Sequence, residues 1–146
     1  GVSWDEPINR THGERTFRYV AARLSGDATP AEVLFEGDIA EQGPAFELAL
    51  HALERASGGQ DPGELLRLRH RATFVVFWAG TIAFYALLRL RFGSRGLAAT
   101  GVLLLVLCPR TFSHSFYDSK DTILLACFAA AMATPEIANQ TLRRPM

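Results

Sequence analysis

The chain has 146 residues, 49% of them apolar, which is enough for one modest domain. Lys plus Arg (15) balance Asp plus Glu (15), so no global field draws the protein to nucleic acid or anionic lipid. The mean hydropathy of +0.10 hides a division. Residues 1–71 hold most of the acids, and residues 72–134 hold nearly all the long apolar runs.

The first part begins with Trp4-Asp5-Glu6-Pro7 and then carries repeated helix-start signals. Thr11-His12-Gly13-Glu14 fits a capping box, which predicts a helix running to about Leu24 and stopping at Ser25-Gly26. Thr29-Pro30-Ala31-Glu32 is a second start, and Asp38-Ile39-Ala40-Glu41 a third. The third helix would present Phe46, Ala49, Leu50 and Leu53 on one apolar face, with Pro44 delaying its start and Gly58-Gly59 ending it. Asp61-Pro62-Gly63-Glu64 opens a longer helix: Asp caps, Pro occupies the first turn, and no breaker follows until Gly80. That helix is predicted to run from Pro62 through Arg89.

Its second part, Ala72–Leu88, carries no charge and is bounded by Arg71 and Arg89. It is apolar on every side, which a helix tolerates only when fully buried or in lipid. A chain of this size has little room to bury it, so a membrane span is expected, at the short end for roughly 30 Å of hydrocarbon. The flanking arginines can snorkel to the headgroups. Arg89–Gly96 reads as a basic, Gly-punctuated turn. Leu97–Pro109 and Thr122–Pro135 are two further apolar blocks, each too short to span alone at about 1.5 Å per residue. They would need help from 111–117 or from neighbours. Cys108 and Cys127 lie in apolar blocks and read as small buried hydrophobes. Basic residues at the two ends of the first span nearly tie, so they do not orient it. The ends of the chain complete no recognisable element, and a fragment of a longer protein is expected.

Three groups of residues could carry chemistry. Asp5 and Glu6 suit a general base with an orienting acid beside it; the alternative is a solvated turn before Pro7. His12 would pair with either acid or lie at the surface. Arg67-Leu68-Arg69-His70-Arg71, at the start of the first span, could fork a lipid phosphate or simply anchor the helix. The richest segment is 109–121, where Arg110, His114, Asp118, Lys120 (the only lysine) and Asp121 fall between two apolar blocks. Ionisable groups are costly near a bilayer and default to a functional reading there. Asp118 and Asp121 share a face of a helical turn. Asp121 could instead cap a helix before Thr122, and Arg110 and Lys120 could snorkel. These acids with Asp5 and Glu6 could take a divalent cation through oxygen ligands, and His12 or His114 with an Asp could serve zinc, though no spacing demands either. No phosphate-binding loop, dinucleotide-binding glycine pattern, nucleophile elbow or paired CxxC is present, and nothing suggests a nucleic-acid partner.

The order of parts resembles the N-terminal part of a GT-C membrane glycosyltransferase. It is most similar to family 39, the group of the protein mannosyltransferases, the aminoarabinose transferases and their bacterial relatives. Those relatives carry a stretch matched by Pro109, Arg110, His114, Ser115, Phe116, Tyr117, Asp118, Ser119, Lys120 and Asp121. The resemblance implies an all-α, multi-pass fold of which this chain is a piece, lacking the first membrane helix and the C-terminal part. It implies a polyprenyl-phosphate sugar as donor, membrane lipid as surroundings, and an active site on the extracytoplasmic side of the inner or plasma membrane. Asp5 would be the catalytic base with Glu6 beside it, and Asp121 the second acid. Arg69, His70, Arg71, Arg110, His114, Asp118 and Lys120 would be candidates for the donor's site. Residues 1–71 would form the first outer loop, 72–146 the membrane helices and their connections, and Arg89–Arg95 would face the cytoplasm. Competing readings are a non-catalytic membrane scaffold and a transporter fragment.

Overall fold

A computed structural model of the chain describes residues 6–26, 44–59 and 61–143. Every regular element among them is an α-helix: α1 (Glu6–Leu24), α2 (Ala45–Ser57), α3 (Pro62–Phe92), α4 (Arg95–Leu107), α5 (Pro109–Tyr117) and α6 (Ser119–Arg143). They belong to two compact units, Gly1–His70 and Arg71–Met146, with α3 contributing its first turns to one and the remainder to the other.

In the first unit α1 packs on α2. α1 already begins at Glu6, so the expected start at Thr11 is wrong. Pro7 fits the first turn, where its missing N–H is not needed. Thr11 sits inside the helix and donates its hydroxyl to the Pro7 carbonyl at 2.9 Å. α1 stops as expected, at Gly26 in the left-handed region (φ 83°). The starts read at Thr29 and Asp38 fall outside the described residues. α2 begins after Pro44 and ends at Gly58.

The face that α2 buries differs from the apolar stripe read from sequence. Glu47, Leu50 and Glu54 are inside, while Leu53 is 41% exposed. The cause is Arg69 of α3, itself buried, which pairs with both glutamates. Gly13 permits the close approach of α1, since a Cβ there would lie 2.5 Å from the Glu47 carbonyl oxygen.

In the second unit α3 crosses α6 through small residues. A Cβ on Gly80 would stand 2.8 Å from the Ala126 Cα, and Ala126, Ala129, Ala133 and Thr122 are buried. Small side chains that let backbones meet are the usual membrane-helix seam. Phe74 stacks on Phe116 with ring centroids 4.7 Å apart, tying α3 to α5. α3 starts as expected, with Asp61 accepting the Glu64 N–H at 3.0 Å. It continues past Arg89, and the predicted basic turn shrinks to Gly93-Ser94, because Ser94 caps α4 through the Leu97 N–H. α4 and α5 meet at a 68° bend.

The remainder of the unit departs from the sequence pattern in places. The stretch 109–121 is largely helical, because Pro109 opens α5 and the chain breaks only at Asp118. Asp118, not Asp121, caps α6, accepting the Asp121 N–H at 3.2 Å. Pro135 lies within α6, where its ring nitrogen leaves the Ala131 carbonyl without the usual helical N–H donor. Cys108 and Cys127 are exposed, on the outer side of apolar helices.

That outer side is strongly apolar. Val75, Ile82, Leu104 and Leu124 are each about two-thirds exposed, while the interior holds alanines, threonines and Phe77. α3 and α6 are long and apolar enough to cross a membrane, and α4 with α5 makes a third crossing if the bent pair is one span. α3 alone, at 31 residues, is about 46 Å long at 1.5 Å per residue.

Candidate functional site

The first unit carries its charge inside. Arg69 lies across Glu47 and Glu54, with its Nη1 3.5 Å from Glu54 Oε1. Arg10 Nε reaches Glu54 at 3.4 Å and His51 Nδ1 approaches it at 3.5 Å. α1 supplies Arg10, α2 supplies Glu47, His51 and Glu54, and α3 supplies Arg69. One turn away, His70 Nε2 sits 2.8 Å from Glu6 Oε1. The Glu6 side chain is 9% exposed, and its Oε2 has no hydrogen-bond partner among the described residues. Glu6, Arg10, Glu54 and Arg69 share a cleft of about 200 Å³ with Pro7, Pro62 and Leu66.

These positions revise several expectations. Glu6 is not part of a solvated turn, because it is buried and paired with His70. His12 is buried, not at the surface. The Arg69 guanidinium is engaged by two carboxylates. Arg71 is exposed. Asp5 lies outside the described residues. Arg10, Glu47, His51 and Glu54 escaped the sequence reading. Their signal was the placement of Glu47 and Glu54 on one face of α2 together with Leu50, a stripe that apolar periodicity passes over.

The second unit gathers its ionisable groups where α5 meets α6. His114 Nδ1 lies 3.4 Å from Asp118 Oδ2 and 3.7 Å from Asp121 Oδ2. One ligand atom from each of the three falls within 4.8 Å of the others, the one such group among the described residues. A His with two carboxylates suits zinc or manganese more than calcium, which prefers an all-oxygen shell. The break at Asp118 produces this cluster: it ends α5 just after His114 and starts α6 just before Asp121. His114 and Asp121 line a cavity of about 210 Å³ with Arg110, Thr111, Thr122 and Phe77. Thr122 donates its hydroxyl to the His114 carbonyl at 3.3 Å, which holds the two helices at the break. Arg110 is exposed, and Lys120 is half-buried.

The fold and these clusters define an all-helical protein with two or three helices able to cross a membrane and polar groups set between apolar ones. No protein-family model, curated protein or solved structure matches the chain.

Proposed function

We propose that the chain is part of a GT-C glycosyltransferase that moves a sugar from a polyprenyl-phosphate donor to an acceptor hydroxyl. The observation that carries the reading is the group His114, Asp118 and Asp121, beside Arg110, at a break between apolar helices. Ionisable side chains so placed are costly unless used, and they fall in the segment that resembles family 39.

In this reading the acceptor oxygen attacks the anomeric carbon and its proton passes to the Asp5 carboxylate. The bond from the anomeric carbon to the phosphate oxygen breaks, and polyprenyl phosphate leaves. Arg110 and Lys120 stabilise the charge that develops on it. A divalent cation would be held by His114, Asp118 and Asp121 and would supply positive charge to the departing phosphate. Residues 1–71 lie on the extracytoplasmic side of the inner or plasma membrane, and Arg89–Arg95 on the cytoplasmic side.

The test is sugar transfer by the full-length parent in membranes. Asp5→Asn should lower turnover by about 10²–10⁴, the usual range for a lost general base, with insertion unchanged. Turnover at the parent's rate would remove Asp5 from the mechanism.

A further inference from the structure

The second unit carries an uneven charge at one end of its apolar helices. α3 closes with Arg89 and Arg91 in its last turn, and α4 opens at Arg95 after only Gly93 and Ser94. Gly93, with φ at 68°, permits so short a connection. Among the described residues, the acid that reaches this turn is Glu136 of α6, 4.0 Å from Arg91, whose side chain remains 70% exposed. Arg89 donates to the Gly93 carbonyl, which fixes its guanidinium without neutralising it. Arg95 is exposed and pairs with no carboxylate among the described residues. Three positive charges thus meet one negative charge, in a chain that is neutral overall.

The surroundings say which anion fits. Between Arg71 and Arg89 the helix carries no charge over about 25 Å, so the guanidinium groups stand at headgroup height once α3 crosses a membrane. Phe92 and Leu97 flank them and are 58% and 59% exposed. A small soluble anion would leave that apolar surface in water. A phospholipid covers both, with its phosphate on the guanidinium forks and its acyl chain on Phe92 and Leu97. Ordinary anchoring also sets arginines at this depth, but it asks nothing of the headgroup's charge. Here the excess does. The choline or ethanolamine of a zwitterionic lipid adds a cation to a turn already positive, whereas an anionic lipid offsets the charge. At the other end of α6, by contrast, Asp118 and Asp121 offset Arg110 and Lys120.

We infer that the turn between α3 and α4 binds anionic phospholipid, with Arg91 and Arg95 as the principal contacts and Arg89 held in place by the Gly93 carbonyl. The inference goes beyond the transferase reading and does not depend on it.

The experiment reconstitutes the full chain in dioleoylphosphatidylcholine bilayers. Electron spin resonance of spin-labelled lipids reads the association of phosphatidylglycerol relative to phosphatidylcholine. One arginine near a membrane surface contributes about fivefold in affinity for anionic lipid, so phosphatidylglycerol should be preferred at least about fivefold at low salt. The preference should fall towards parity at about 1 M NaCl, where charges are screened within about 3 Å. Arg91→Gln combined with Arg95→Gln should bring it below about twofold. Arg71→Gln, which removes one exposed arginine elsewhere in the unit, should leave most of it. Glu136→Gln removes the acid beside Arg91 and should raise the preference at least about twofold, which decides the matter if the double variant misfolds by circular dichroism. Inorganic phosphate at about 10 mM, compared at equal ionic strength, should not displace the lipid. Equal association of the two lipids with the unsubstituted chain, a preference unchanged in the folded double variant, or no rise with Glu136→Gln overturns the inference. So does a loss with Arg71→Gln as large as that of the double variant, which would trace the preference to overall charge. Displacement by inorganic phosphate would make the turn a soluble-anion site and overturns it as well.

Discussion

Arg69→Met tests whether Arg69 serves the fold or a ligand. The Arg69 side chain is 5% exposed, and those of Glu47 and Glu54 are 6% and 4% exposed. Removing the guanidinium takes the central cation from two desolvated carboxylates. Glu54 keeps Arg10 and His51 nearby, whereas Glu47 loses its close contact with the guanidinium. Breaking a buried ion pair from one side costs about 3–5 kcal/mol. At about 1.4 kcal/mol per decade that is two to nearly four decades in the opening equilibrium. Amide hydrogen exchange in α1 and α2 reads it directly, as protection lost across both helices. Arg18→Met is the control: its partner Glu14 sits one helical turn away at an exposed site, where such a pair contributes about 0.3–0.5 kcal/mol. Adding Glu47→Met to Arg69→Met should restore much of the protection, because a well-packed apolar replacement of a buried pair is often neutral or stabilising. Equal losses in Arg69→Met and Arg18→Met, or no recovery in the double variant, would refute the reasoning. The same pair separates roles in the full-length parent, since transfer lost with Arg69→Met and regained in the double variant assigns Arg69 to the scaffold.

Two further outcomes are expected. Gly80→Val places a branched side chain where even a Cβ meets Ala126 backbone at 2.8 Å. It should part α3 from α6, costing about 1–3 kcal/mol as overpacking does, and lower the denaturation midpoint in detergent. An unchanged midpoint would show that the seam is not tight. For sidedness, single thiols at Glu14 and Arg95, introduced after Cys108→Ser and Cys127→Ser, should react oppositely with an impermeant maleimide on intact cells: position 14 labelled, position 95 protected. The reverse pattern, or labelling of both, contradicts the proposed topology.

The helices were legible where local chemistry sets them. Asp61-Pro62-Gly63-Glu64 announced α3, and the Asp61 cap is there. Gly26 and Gly58 marked stops that follow from their left-handed backbone. Local signals misled where tertiary partners overrule them. Thr11 has the pattern of a cap, but Glu6 is drawn into the helix and held by His70, many residues away. At the candidate site, the ionisable richness of 109–121 was visible, but its arrangement depends on a single break at Asp118, which no periodicity reveals.

The deeper difficulty is that apolar periodicity presumes water outside and hydrocarbon inside, and neither unit keeps to it. In the first, α2 turns Glu47 and Glu54 inward and leaves Leu53 out, because a buried arginine makes that face the better one to bury. In the second, the large apolar residues point outward and the small ones inward, which is favourable only if the surroundings are themselves apolar. The two inversions have different physical causes and different sensitivities. Backbone approach at Gly80 and Ala126 depends on van der Waals packing, to which pH and salt are nearly irrelevant. The network around Arg69 depends on charge held away from water, where loss of one partner is felt by all. A substitution that conserves size should therefore be tolerated along α6 and fail at Arg69, even when it removes no apolar contact.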